Sequence, residues 1–392
     1  MTIRLKMLAN LITACEAEDI RPFVALEHVE SGTGRLIATT EFLERRGPGS
    51  DVAAVEVGDV LFGKLRPYLA KIWLVDRPAF ASTELLCLRP ATGVEPLWLA
   101  YICSSQPLIQ WATATSDGTK MPRTSWEKLS QYRLTFPPLV VQRRIADYLD
   151  TETARISALL LTKQRMIELF RARIDAFVEH ETGNLRGRYD EVPLKRLVWE
   201  IDQRLGEQAP PEMLSVSIHH GVVPRSLMTD KLPRAEDLTA YKMCEPEDIV
   251  LNRMRAFQGG VGRSPQAGIV SPDYAVLRPC NLALSQYLHY VFRSPWFIGE
   301  MTARLRGIGD SEQGNVRTPR INVAELGLIK VPLPSVMIQA QLVGRIDGKV
   351  AQMRTIVEKL SHQIDLLREH RQALITAAVM GELQISVQEA VA

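Results

Sequence analysis

The chain has 392 residues, 23% of them charged and 46% hydrophobic, and 47 Lys+Arg against 45 Asp+Glu leave a formal net charge of +2. That length suits two to three domains with proper cores, and the near-neutral balance excludes an all-over nucleic-acid surface, so any such surface must be local. The five cysteines (Cys15, Cys87, Cys103, Cys244, Cys280) show no metal spacing and are expected as reduced core thiols of a cytoplasmic protein. No apolar signal region follows Met1 and no apolar run reaches the ~18 residues of a membrane span, so no membrane partner is expected.

From the N-terminus, a first lobe (1–138) opens on Ile3–Leu8 and contains strand-like runs at 56–62, 71–75 and 85–88, then a helical patch over 96–110. A first long helix is expected over 139–182. A second lobe (183–334) repeats the scheme, with strand-like runs at 247–251 and 274–277 and a helical patch over 284–306. A second long helix and a C-terminal tail fill 335–392. Proline marks the boundaries, because none lies in 139–192 or 335–392, and proline breaks helix interiors.

The two halves are copies. Ile3–Leu8 matches Val192–Leu197, Gly58-Asp-Val-Leu-Phe-Gly-Lys-Leu-Arg66 matches Glu247-Asp-Ile-Val-Leu-Asn-Arg-Met-Arg255, and Leu88-Arg-Pro90 matches Leu277-Arg-Pro279, all at an offset of 189. Pro137, Gln142, Asp150 and Ile167 match Pro334, Gln339, Asp347 and Ile364 at 197, so the second copy has a net eight extra residues ahead of its helix.

Both helices are patterned for a partner. Ile346, Val350, Met353, Val357, Leu360, Ile364, Leu367, Arg371 and Leu374 alternate four and three apart, and their counterparts are Leu149, Thr153, Ile156, Leu160, Lys163, Ile167, Phe170, Ile174 and Phe177. That is a coiled-coil seam, polar only at Thr153, Lys163 and Arg371. The expected fold class is therefore mixed α/β (α+β): two globular lobes separated by two long helices packed as an antiparallel coiled coil, in an internal pseudo-twofold repeat.

No catalytic motif is present. Phe136-Pro-Pro-Leu139 lacks the polar residue of an amino-methyltransferase motif, 344–349 has the wrong spacing for a phosphate loop, and the histidines match no metal spacing. What recurs is local positive charge. Lys64, Arg66, Lys71 and Arg77 against Asp76 in the first lobe occupy places equivalent to Arg253, Arg255 and Arg263 in the second, and two glycine loops, 118–123 and 314–320, carry Lys120 and Arg123 or Asn315, Arg317 and Arg320. Flexible basic loops suit phosphate, whereas Arg, Asn and Gln suit base edges, which makes Arg255, Arg317, Asn252, Gln258 and Asn315 the candidates for base reading.

This arrangement resembles the DNA specificity subunit of type I restriction-modification systems. The resemblance rests on Val57-Gly-Asp-Val-Leu-Phe62, the loop 314–320, the helix starts Pro137–Leu149 and Pro332–Val343, and the late stretch Ile364–Ile375 followed by Gly381-Glu-Leu383; Val141 and Ile338 depart from it, the family usually having glutamate there. It implies a non-catalytic chain whose lobes are target-recognition domains for double-stranded DNA, each reading one half of a bipartite, asymmetric site. It further implies helices that fix the gap and dock two methyltransferase subunits, with a restriction nuclease-translocase as a further partner. The chain itself would hold no cofactor or metal; S-adenosylmethionine, ATP and Mg would come with the partners. The alternatives are a self-sufficient DNA methyltransferase or endonuclease with unfamiliar motifs, and a two-lobed protein-interaction scaffold.

Overall fold

A computed structural model describes residues 2–16, 19–37, 44–46, 51–218, 221–228, 237–305 and 320–383. The chain divides into two compact units, Met1–Arg165 with Leu360–Ala392, and Met166–Lys359, so each unit holds one lobe and a stretch of both long helices. Those helices span Leu139–Gly183 and Val336–Met380.

Each lobe is built on the same four-stranded antiparallel sheet. In the first the order is Ala9–Ile12, Leu85–Pro90, Val60–Gly63, Ile72–Leu74, and in the second Val198–Ile201, Tyr274–Pro279, Ile249–Asn252, Val261–Arg263. Even the register repeats, Leu88 lying opposite Val60 as Leu277 lies opposite Ile249. A two-stranded pair then closes each lobe at its helix, Thr2–Arg4 with Arg133–Thr135 and Glu191–Pro193 with Lys330–Pro332. The lobes differ outside this frame. The first adds a five-stranded sheet from Cys15–Glu16, Asp51–Val55, Ala79–Ala81, Arg21–Val24 and Arg45–Arg46, while the second adds the pairs Leu214–Ser217 with Gly221–Pro224 and Lys242–Cys244 with Gly268–Val270.

Two element expectations are revised. The run 56–62 is not one strand, because the backbone turns at Gly58 (φ 91°) and the Asp59 carboxylate accepts the Glu56 N–H at 2.8 Å. Each helical patch is two helices, Pro96–Ser104 and Gln106–Ala114 in one lobe and Ser285–Arg293 and Pro295–Thr302 in the other. The break has a local cause: Ser105 and Ser294 turn their hydroxyls back onto the carbonyls of Ile102 and Val291 at 2.7 and 2.6 Å, and Pro107 and Pro295 fit only a helix's first turn.

The seam packs as patterned. Leu149, Ile156, Ile167, Ile346, Val350, Met353, Leu360 and Ile364 are buried, and Leu160, Phe170, Ile174, Val357 and Leu367 are half-buried. The helices run antiparallel within each unit: Lys163 donates to Gln363 at 2.7 Å in the first, and Arg345 pairs with Glu181 at 2.9 Å in the second. The seam also runs into the lobe cores. Leu149 packs in the core around Trp98 and Phe62 together with Ile375 and Val379, and Ile346 and Val350 pack in the core around Tyr287, Phe292 and Phe297. Lobe and helix are thus continuous hydrophobic structures, and the tertiary burial of the seam stabilises helices far longer than propensity alone sustains.

Two repeated polar devices fix this frame. Gln142, fully buried, accepts the Glu95 N–H at 2.9 Å and donates to the carbonyls of Gly93 and Pro137 at 3.3 and 2.9 Å. Gln339 does the same with Leu284, Leu282 and Pro334 at 2.8, 3.0 and 2.9 Å. Each glutamine bridges the two repeat registers, since its lobe partners match at 189 and its helix partners at 197. The second device is an ion pair behind each sheet: Arg89 grips Asp59 bidentately at 2.9 and 2.7 Å, and Arg278 grips Asp248 at 2.8 and 2.8 Å.

The second unit also contains a cavity of about 800 Å³ lined in part by His289, Arg293, Tyr290, Asp347, Arg354 and Asp175. His289 accepts the Arg263 N–H at 3.1 Å, and burial, then the charges of Arg293, Arg263 and Arg354, push its pKa down to about 3. An unfolded histidine titrates near 6.5, so as pH falls through that value the unfolded chain gains a proton that the folded chain refuses. Stability is therefore expected to decline from about pH 6.5 towards 3. Urea midpoints measured across that range should show a shallower decline in His289→Gln; identical slopes would sink the assignment.

Candidate nucleic-acid interface

The basic residues gather at equivalent places because the frame is duplicated. In the first lobe the strand Val60–Gly63 leaves the sheet through Lys64, Leu65 and Arg66, enters a short turn Pro67–Leu69 and returns as Ile72–Leu74. The loop 118–123 is stitched to that exit: the Arg66 N–H donates to Pro122 at 2.7 Å and the Thr124 N–H to Lys64 at 2.9 Å. In the second lobe Ile249–Asn252 leaves through Arg253, Met254 and Arg255 into the turn Ala256–Gln258, and the Ile321 N–H donates to Arg253 at 3.2 Å. Both lobes therefore place a strand exit beside a later segment of the chain, 118–124 in the first and Ile321 in the second.

Partners sort the candidates. Lys64 donates to the Thr83 carbonyl at 2.6 Å, Lys71 to that of Leu26 at 2.9 Å, and Arg253 to that of Ile321 at 3.2 Å. Arg123 is paired with Glu84 and Arg320 with Asp273, and these pairs are themselves equivalent in the repeat. Arg263 is paired with Glu247. Asn252 is buried, its amide oxygen accepting the Met254 N–H at 3.2 Å, so it shapes the turn from within. Asn315 and Arg317 lie outside the described residues. That leaves Arg66, Lys120, Arg255 and Gln258, all exposed and with no side-chain partner among the described residues. Arg66 and Arg255 stand at the same repeat position, each capping its turn.

One cation beside this site was not apparent from sequence. Burial pushes the Tyr274 hydroxyl up, while a hydrogen bond from Ser215 and the charges of Arg255 and Arg225 oppose that shift, so Arg225 flanks the same phenol as Arg255. Arg225 carries a buried Nε without a partner among the described residues. No sequence signal marks it, because it reaches the site from the outer pair of strands that the repeat does not share. Two arginines whose charges reach one phenol place a second cation near this strand exit, and arginine suits phosphate or the acceptor edge of guanine. Among the described residues no cluster of His, Cys, Asp and Glu could hold a metal ion, and no helix is long and apolar enough to cross a membrane.

The fold class is thus a duplicated α/β lobe with two long helices, and each lobe carries a cationic turn at the same repeat position. Residues 53–169 match the family described as the type I restriction modification DNA specificity domain. The chain is 24% identical over 174 residues to the type I restriction enzyme EcoDI specificity subunit of Escherichia coli, a stretch covering 41% of this chain and 38% of that protein. It is 24% identical over 148 residues to the StySPI specificity subunit of Salmonella potsdam, covering 36% and 30%. The matched stretches thus span less than half of these relatives. In fold the likeness runs end to end: a chain solved in a study of complex assembly and conformational transition of the type I R-M system superposes with TM-score 0.69 at 19% identity, covering 98% of both. The HsdS subunit from Thermoanaerobacter tengcongensis gives 0.53 at 18%, covering 98% of this chain and 97% of that one. Residues 53–169 thus match the DNA specificity domain of type I restriction-modification systems, and the relatives that the chain resembles in sequence are specificity subunits of such systems.

Proposed function

We propose that this chain is the non-catalytic DNA-reading subunit of a type I restriction-modification assembly. Each lobe reads one half of a bipartite, asymmetric site; the helices fix the untouched gap and dock the methyltransferase subunits. S-adenosylmethionine is then brought by those subunits, and ATP and Mg by a nuclease-translocase. The observation that carries this reading is the placement of Arg66 and Arg255, exposed and without a hydrogen-bond or ion-pair partner among the described residues, at the same strand exit of two lobes whose outer sheets differ. Shared frames with different outer sheets suit two readers of unlike half-sites.

Arg66→Ala and Arg255→Ala are each expected to weaken binding about tenfold, on the scale of ~1–3 kcal/mol for one bidentate base contact. Titration of labelled duplex DNA by the assembled complex at fixed salt measures it. Each variant should lose discrimination in one half-site only; a uniform loss in both halves marks phosphate contact instead, and no loss in either removes these residues from the interface. A second test concerns the helices. Each is 45 residues long, roughly 68 Å at ~1.5 Å per residue. Removing seven residues, one heptad, from the middle of each helix preserves the seam and should shorten the tolerated gap. Mapping methylated adenines in cells carrying either form reads the gap directly, and an unchanged gap would refute the ruler role.

A further inference from the structure

The turn that presents Arg66 is strained at both ends. Arg66 (φ 50°, ψ 62°) and Ala70 (φ 47°, ψ 50°) are left-handed without being glycine, a conformation that L-residues keep only when neighbours impose it. The second lobe solves the same turn without strain: Arg255 has φ −119°, and the counterpart of Ala70 is Gly259, left-handed at φ 77°. The first lobe must therefore brace what the second leaves to glycine.

The brace is visible. The Arg66 N–H is held by Pro122, and the Ala70 carbonyl accepts the Gly32 N–H at 3.0 Å. Gly32 lies in a loop closed by a Val29–Leu36 bridge, by the Glu30 N–H on Arg35 at 2.9 Å, and by Thr33 Oγ1 on Glu30 at 2.7 Å. Beyond it stands Arg371 of the second long helix, whose Nη2 donates to the Thr33 carbonyl at 2.9 Å. The neighbouring turn of that helix is fixed to the same lobe, Gln372 donating to Ser104 at 2.8 Å and Thr376 accepting the Gln106 N–H at 3.3 Å.

Arg371 is expensive where it sits. It occupies a seam position whose counterpart in the first helix is Ile174, so packing alone calls for an apolar residue there. Burial pushes its guanidinium pKa down, and its Nε is buried with no hydrogen-bond partner among the described residues. An arginine kept in an apolar seam at that cost needs a return, and the bond to Thr33 supplies it.

We propose that Arg371 is a positioning residue for DNA reading: by fixing loop 29–36 it braces the left-handed turn that presents Arg66. The inference rests on the reading of Arg66 as a DNA contact, and the two can fail separately. The test uses the full-length chain with Arg371→Met, which keeps the stem, and Arg371→Lys, which keeps a donor. Amide hydrogen exchange at Gly32, Leu69 and Ala70 should quicken about tenfold in R371M and return towards wild type in R371K, while Gln258 and Gly259 stay unchanged. In R371M/A70G the excess exchange at Leu69 should shrink, because glycine needs less bracing. In the assembled complex R371M should weaken discrimination about tenfold in the half-site that Arg66→Ala affects, and not in the other.

Unchanged exchange in R371M, or equal acceleration in both turns, overturns the brace. Quickened exchange with intact discrimination in both half-sites overturns its role in reading. If Arg66→Ala leaves DNA binding intact, the reading of Arg66 fails, and exchange still decides the brace.

Discussion

Replacing Gln142 by alanine is expected to destabilise the first unit by about 3–5 kcal/mol, and Gln339→Ala the second by a similar amount. One side-chain amide here serves three backbone groups, one N–H and two carbonyls, in a place without solvent access. Removing it orphans all three at ~1–3 kcal/mol each, less whatever water entering the vacated space repays. Gln142→Glu separates the contributions: a carboxylate still accepts the Glu95 N–H but cannot donate to Gly93 or Pro137, so most of the loss should remain. Guanidinium denaturation followed by fluorescence measures this, and the two alanine variants together should lose roughly the sum, since their sites share no partner. A loss below about 1 kcal/mol for either alanine variant would show that the clamp is ornamental. The consequence reaches function, because these glutamines tie lobe to helix start. A loosened tie should broaden the range of gaps the complex tolerates.

How far the sequence anticipates this structure depends on the range of the interaction. Duplication, helix limits and the seam all rest on local periodicity and on proline, and Ile346, Val350 and Ile364 pack as their spacing implies. The repeat also flagged Gln142 and Gln339 as matched residues, yet their role needs both registers brought together in space. The candidate site was legible as a location rather than as a set of contacts. Lys64, Lys71, Arg123 and Arg320 look equivalent to Arg66 in sequence, but carbonyls and carboxylates distant along the chain, such as Glu84 and Asp273, occupy them. Arg225 was invisible for the converse reason, since only the outer strands of the second lobe bring it to Tyr274.

The Leu-Arg-Pro motif yields the other large expected effect. Arg89→Met should cost about 3 kcal/mol or more, and Asp59→Asn about half as much. The asymmetry follows from burial: the Asp59 side chain is 3% exposed and the Arg89 side chain 49%. Taking away the guanidinium strands a buried carboxylate, whereas taking away the charge of Asp59 leaves an arginine that can turn to water. An asparagine oxygen can also still accept the Glu56 N–H that holds the turn. Arg278 and Asp248 should reproduce the order in the second lobe, where the exposures are 38% and 2%. Asp59→Asn/Arg89→Met together should recover part of the single-variant loss, because no unpaired charge remains buried. Equal costs for the two single changes would mean that water reaches Asp59 and that the burial argument is wrong. The pair also guards the functional reading. Arg89 and Arg278 are cations in a repeated motif, and a screen of basic residues would score them as DNA contacts. With the Nε–Nη2 edge of each guanidinium committed to aspartate, R89M should lower the amount of folded protein while leaving salt-dependent DNA affinity per folded molecule unchanged, the opposite of what Arg66→Ala should do.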